Sequence, residues 1–155
     1  MSMIADSATR VKQHTSPEMN QRLQQQTRIN VAYYAAHPDQ IPQRLAELDR
    51  EWDVERALAM NSSALSLFGL AMTVLRGRRW LVLPVIVQGF FVQHAIEGWC
   101  PPLPLLRRLG LRTQFEIEQE RYALKALRGD FQQVNDGEDA AARAVKAFDA
   151  ARHDS

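Results

Sequence analysis

Cysteine occurs once in the 155 residues, at Cys100. A lone thiol excludes an intramolecular disulfide and any metal site built from several thiolates. An excess of one charge is also missing: 19 Lys and Arg face 18 Asp and Glu, for a net charge of +1. That balance gives no general electrostatic case for nucleic acid, and no nucleic-acid partner is expected. The stretch from Met1 to Ser16 lacks the apolar run of a secretory signal, so the N-terminus is expected to stay in the cytoplasm. There is no nucleotide-binding glycine loop, no HExxH or CxxC, and no internal repeat. These absences point to a protein without enzymatic activity, metal or other cofactor.

The most informative absence is local. The average composition looks soluble, with 24% charged residues and a mean hydropathy of -0.32. Yet no charged side chain occurs between Arg56 and Arg76, or between Arg79 and Glu97. Residues 57–75 would make a helix of about 28 Å, close to the ~30 Å hydrocarbon thickness of a bilayer. Arg76-Gly77-Arg78-Arg79 makes a tight basic turn, and residues 80–99 form a second apolar stretch with a tryptophan at each end, Trp80 and Trp99. Pro84 falls in the first turns of that helix, where its missing N–H is tolerated. The expected architecture is all-α: a transmembrane two-helix hairpin (57–75, turn 76–79, 80–99) with amphipathic, cytoplasmic helices on both flanks. A soluble hairpin would need an obligate partner or oligomer, because so short a chain has little other apolar surface to cover it.

The flanks follow from punctuation. Residues 1–15 carry no periodicity and read as a disordered tail. Residues 16–56 read as cytoplasmic or interfacial helices. Ser16-Pro17 opens one of them, over 17–36, and His37-Pro38 ends it. The second, 40–56, places Ile41, Leu45, Leu48 and Trp52 on one face. It could lie on a membrane surface with Trp52 among the headgroups, or pack on its neighbours. Over 100–129, the Pro101-Pro102-Leu103-Pro104 run breaks the second span. Leu105, Leu106, Leu109 and Leu111 then suit an interface. Thr113 and Glu116 form a capping-box pattern for a helix over 114–128, ended by Gly129. Residues 130–155 hold a linker and an Ala-rich helix, 138–152, with Ala141, Val145 and Phe148 on one side. Arginines at 44, 50, 56, 107, 108 and 112 outnumber those of the turn, which favours cytoplasmic termini in a multi-pass protein.

Polar groups within the apolar stretches mark packing or function. Ser62, Ser66, Gly69 and Thr73 form one narrow strip. On the second helix Gly89, Gln93 and Glu97 step by four, with Cys100 three later. Folding about the turn pairs positions whose numbers sum to about 155, so Ser66 should lie near Gly89 and Ser62 near Gln93. Such a strip serves packing within the hairpin or between copies. Arg56, His94, Glu97 and Cys100 gather at the termini side as a candidate functional cluster. His94 and Glu97 can touch across one helical turn. Cys100 at a helix C-terminus is not activated by the helix dipole.

The order of two short spans, Gly98-Trp99-Cys100-Pro101, an apolar-basic stretch and Leu109-Gly110-Leu111-Arg112-Thr113 resembles the YgaP-like transmembrane domain, a bacterial inner-membrane family of unknown function. Leu48 to Arg56 resembles the flank of one branch, and the likeness covers roughly 45–115. Its motif residues are Gly98, Cys100, Pro101, Gly110 and Thr113. The resemblance implies a bacterial inner-membrane location, cytoplasmic termini and helix-mediated homo-oligomers. A rhodanese domain, present in the family's namesake, has no counterpart here, so sulfurtransferase activity is not carried over. The expected function is that of a small helix-packing or partner-binding membrane protein, with the bilayer, its own copies and a further membrane or cytoplasmic protein as partners. The competing expectations are a subunit of an oligomeric small-solute or anion transporter, and a thiol relay through Cys100.

Overall fold

A computed structural model describes residues 7–136 and 139–151. It is all-α, with no strand among the described residues. Eight α-helices follow in order: α1 Ser7–Gln13, α2 Pro17–Ala36, α3 Ile41–Arg50, α4 Val54–Arg76, α5 Val82–Glu97, α6 Leu103–Arg108, α7 Gln114–Arg128 and α8 Ala140–Ala151. Short 3-10 turns at Pro38–Gln40, Arg78–Leu81 and Gln132–Asp136 connect them. The chain divides into two units, residues 1–23 with 52–115, and residues 24–51 with 116–155.

The first unit is built on α4 and α5, both long and apolar enough to cross a membrane when the preceding 3-10 turn is counted with α5. Asp53 caps α4: its carboxylate accepts the Arg56 N–H at 2.5 Å, which satisfies one of the orphan donors of the first turn. The Val54 N–H donates to the Arg112 carbonyl at 2.9 Å. That contact fixes the start of α4 three residues before the charge-free stretch begins. Val11, Val54, Leu58, Cys100 and Leu103 form the unit's core, with Phe91, Trp99, Leu106 and Leu111 packed against it. Leu105 and Leu109 stay exposed.

Two expectations change here. The 1–15 stretch is not uniformly a tail. Residues 1–6 lie outside the described residues, but Ser7–Gln13 is helical and Val11 is fully buried in the core. A seven-residue helix has too few positions for periodicity to show, and its order comes from tertiary packing. The helix expected over 40–56 ends at Arg50, because Glu51 turns extended and Asp53 is required as the cap of α4.

The second unit buries Ile41, Leu45, Leu48, Ile117 and Leu124, with Tyr34 against them. The apolar face of α3 is therefore spent on a protein core, not laid on a membrane. Trp52 lies outside that helix, exposed, with the Arg56 guanidinium 4.6 Å from its ring centre. Buried charges pair within the unit. Glu120, wholly inaccessible, accepts from Arg44 Nε at 2.9 Å and Asn30 Nδ2 at 3.3 Å. Arg121 pairs with Glu118 and Asp49, and Lys125 donates to the Ala150 carbonyl. Residues 141, 145 and 148 do share one side of α8, and all three point outward. Positions 138 and 152, the ends expected for that helix, lie outside the described residues.

Candidate functional site

The small-residue strip of α4 faces α5. Ser62, Ser66 and Gly69 are buried, and half-buried Thr73 donates its hydroxyl back to the Gly69 carbonyl at 2.8 Å. Gly69 has a steric reason to be glycine: a Cβ there would lie 2.6 Å from Pro84 Cδ and 3.3 Å from Leu83 Cβ. Close approach of the helices depends on that missing atom. Buried Ser66 accepts from the Nε2 of exposed Gln88 at 2.9 Å, which gives the hydroxyl a partner inside an apolar interface.

The facing side of α5 differs from the expectation. Pro84, Val87, Phe91 and His94 turn inward, while Gly89 is exposed with open space where a Cβ would stand. Helical spacing groups Gly89, Gln93 and Glu97 correctly, but bulk decides which face packs. Pro84 and Phe91 fill the interface that the small α4 residues leave open. Gln93 is half-buried and donates to the exposed Glu97 carboxylate at 3.1 Å.

No hydrogen bond or ion pair among the described residues joins the four residues expected to cluster near the termini. Arg56 covers Trp52, Glu97 binds Gln93, and His94 is buried with neither ring nitrogen hydrogen-bonded among the described residues. Cys100 lies in the core, three residues past the end of α5. Gly98 ends α5 in the left-handed region, its N–H donating to the His94 carbonyl at 2.7 Å. Residues Arg10 and Val11 of α1 press against Gly98, and the Arg10 guanidinium donates to the Ile96 carbonyl, a cation placed at the negative end of a helix. Sequence spacing gave no sign of this contact; the glycine itself was its only trace. Gly110 also has positive φ, after α6, and buried Thr113 immediately precedes α7.

An apolar cleft of about 170 Å³ opens beside this region, lined by Leu58, Ser62, Leu65, Phe90, Phe91 and Cys100 among others. Cys100 is the one titratable side chain in its lining, beside the polar Asn61 and Ser62. Among the described residues no three His, Cys, Asp or Glu side chains converge to hold a metal. Burial pushes the Cys100 thiol above its ordinary pKa, and the Leu103 backbone N–H offsets this only in part. The thiol form therefore persists through neutral pH, and thiolate is the reactive species. Alkylation of Cys100 at pH 7 should run at least tenfold slower than for a free thiol of ordinary pKa, as its burial and raised pKa dictate. A rate equal to or faster than the free thiol would contradict this geometry.

No family model, curated protein or solved structure matches the chain.

Proposed function

We propose that the chain is a small, non-enzymatic membrane protein whose α4–α5 hairpin crosses the bilayer, with helical flanks before and after it in sequence. The observation that carries this reading is the uncovered apolar surface of the hairpin. Val74 is 86% exposed, Val85 69% and Leu67 68%, although both helices are apolar along their length. In water such contiguous surface exceeds what a monomeric soluble domain leaves open, whereas lipid covers it without cost. The 23 residues of α4 span about 34 Å, enough for the ~30 Å core. The bacterial inner membrane, cytoplasmic termini and kinship with YgaP-like domains belong to this proposal, the last through Gly98, Cys100, Pro101, Gly110 and Thr113. Washing membranes from cells expressing the full chain with alkaline carbonate should leave it in the pellet; its appearance in the supernatant would sink the span.

Self-association belongs to the same reading. The α4 strip is occupied within the hairpin, so the face left for a second copy is Gly89, Gln93 and Glu97 on α5. Gly89 allows close approach, and the Gln93 amide, one N–H of which goes to Glu97, keeps its carbonyl and second N–H for the equivalent group of another copy, worth about 0.6–2 kcal/mol in membranes. Gln93→Leu should lower dimer affinity by roughly 3- to 30-fold, measured by energy transfer between labelled copies in vesicles. Unchanged transfer would remove this face from the interface.

A further inference from the structure

The hairpin's other end carries the most concentrated uncommitted charge in the first unit. Arg76, Arg78 and Arg79 are all exposed and make no ion pair among the described residues. None can be supplied nearby in sequence, because no Asp or Glu occurs between Glu55 and Glu97. Two cations of the second unit behave differently: half-buried Arg44 and buried Arg121 each hold carboxylates of their own unit.

The backbone concentrates these three charges. Gly77, at φ 105°, reverses the chain directly after α4. Its N–H donates to the Thr73 carbonyl at 3.0 Å, and its own carbonyl accepts from the Trp80 N–H at 3.2 Å. Three guanidinium groups are thereby held within one four-residue turn. Apolar side chains rim the turn on both helices: Val74 and Leu75 before it, Leu81 and Val82 after it, all exposed. Trp80 packs edge-on against Phe68, 6.2 Å between ring centres, at the border between charge and apolar surface. Cations beyond an apolar band, with an indole at the boundary, follow the polarity profile of a lipid leaflet.

We propose that the Arg76-Gly77-Arg78-Arg79 turn is a binding site for the phosphate of anionic lipid headgroups in the leaflet the hairpin reaches. The inference rests on the hairpin spanning the bilayer. A guanidinium offers a planar fork of donors that matches phosphate oxygens two at a time, and three such forks outmatch the charge of one zwitterionic lipid. An acidic protein segment would also satisfy the charge, but it would have to be delivered to the rim of the apolar band, where lipid phosphate already lies. The complement is therefore a lipid such as phosphatidylglycerol, with net negative charge and a phosphate unshielded by choline.

The test uses the full chain in micelles doped with equimolar phosphatidylglycerol and phosphatidylcholine, with bound lipids counted by native mass spectrometry. Three cations near a lipid surface predict a preference for phosphatidylglycerol of about tenfold or more. In the triple variant Arg76→Gln, Arg78→Gln, Arg79→Gln the ratio should fall to about one. The exposed turn tolerates these changes without loss of helicity, which circular dichroism checks. Equal binding of the two lipids by the native chain, or a preference that survives the triple substitution, overturns the site. Carbonate washing of vesicles made with the triple variant and with the native chain separates the two claims. A native chain that washes off overturns the span and the site with it; a chain that stays but shows no lipid preference overturns the site alone.

Discussion

Replacing Glu120 by alanine should markedly destabilise the second unit. Glu120 is inaccessible to water and accepts hydrogen bonds from Arg44 and Asn30. Burial by itself would lower the Arg44 pKa, but the hydrogen bond and charge of Glu120, helped by Glu47 and Glu51, hold it above the ordinary arginine value. Arg44 therefore stays protonated, and removing Glu120 takes away its fully buried partner while Glu47 at 3.1 Å and Glu51 at 3.9 Å remain beside it. Losing a charged hydrogen bond at a buried carboxylate costs about 1.5–3 kcal/mol, a sizeable share of the ~5–15 kcal/mol that holds a domain together. Glu120→Gln keeps an acceptor for Arg44 and Asn30 and should lose less. The double change Arg44→Met, Glu120→Leu should recover much of the loss, since no charge is then stranded. Thermal melts followed by circular dichroism, with exchange of α7 amides as a local probe, give these values. A loss below about 1 kcal/mol for Glu120→Ala would show that the pair is solvated in solution.

The second large effect belongs to Gly98. Alanine there must adopt φ of +75° and place its Cβ 2.4 Å from Arg10 Cβ, 3.1 Å from Arg10 C and 3.2 Å from Val11 N. The left-handed backbone costs an L-residue roughly 1–2 kcal/mol. The clash falls on backbone as well as side chain, so α1 must shift, drawing Val11 from the core and Arg10 from the Ile96 carbonyl. The loss of buried valine contacts brings the total to about 3–4 kcal/mol. Asparagine tolerates the left-handed region, so Gly98→Asn isolates the steric part. Both variants should sharply raise amide exchange in α1 while leaving α7 protected. Unchanged exchange in α1 would mean that it does not seat on Gly98.

These two positions also show where the sequence was readable. Ser16-Pro17 and Gly129 bound α2 and α7 at the expected residues, because caps and helix-ending glycines act within a few residues of themselves. The two apolar helices and the turn between them followed from missing charge, apolar length and the Arg76–Arg79 run. The break at Glu51 to Asp53 carries no glycine or proline, and it exists because Val54 bonds to distant Arg112. The strip on α4 was legible as spacing. Its partner on α5 was not, since Gly89, Gln93 and Glu97 share a face as well as Pro84 and Phe91 do, and only three-dimensional fit chooses between them. Glu120 and Arg44 sit on amphipathic helices whose charges read as solvated, so their burial was invisible before the helices met.

The interleaving of the two units sets an order of events during synthesis. Within the second unit, residues 24–51 emerge first, but their partners begin at residue 116. All of residues 52–115, the hairpin included, are translated in between, taking roughly 3–13 s at ~5–20 residues per second. Through that interval Ile41, Leu45 and Leu48 have neither Ile117 nor Leu124 to cover them, and Arg44 has no Glu120. A stalled ribosome or a stop codon before α7 thus releases a chain with a finished hairpin and an uncovered half-core, the kind of product that chaperones and proteases recognise.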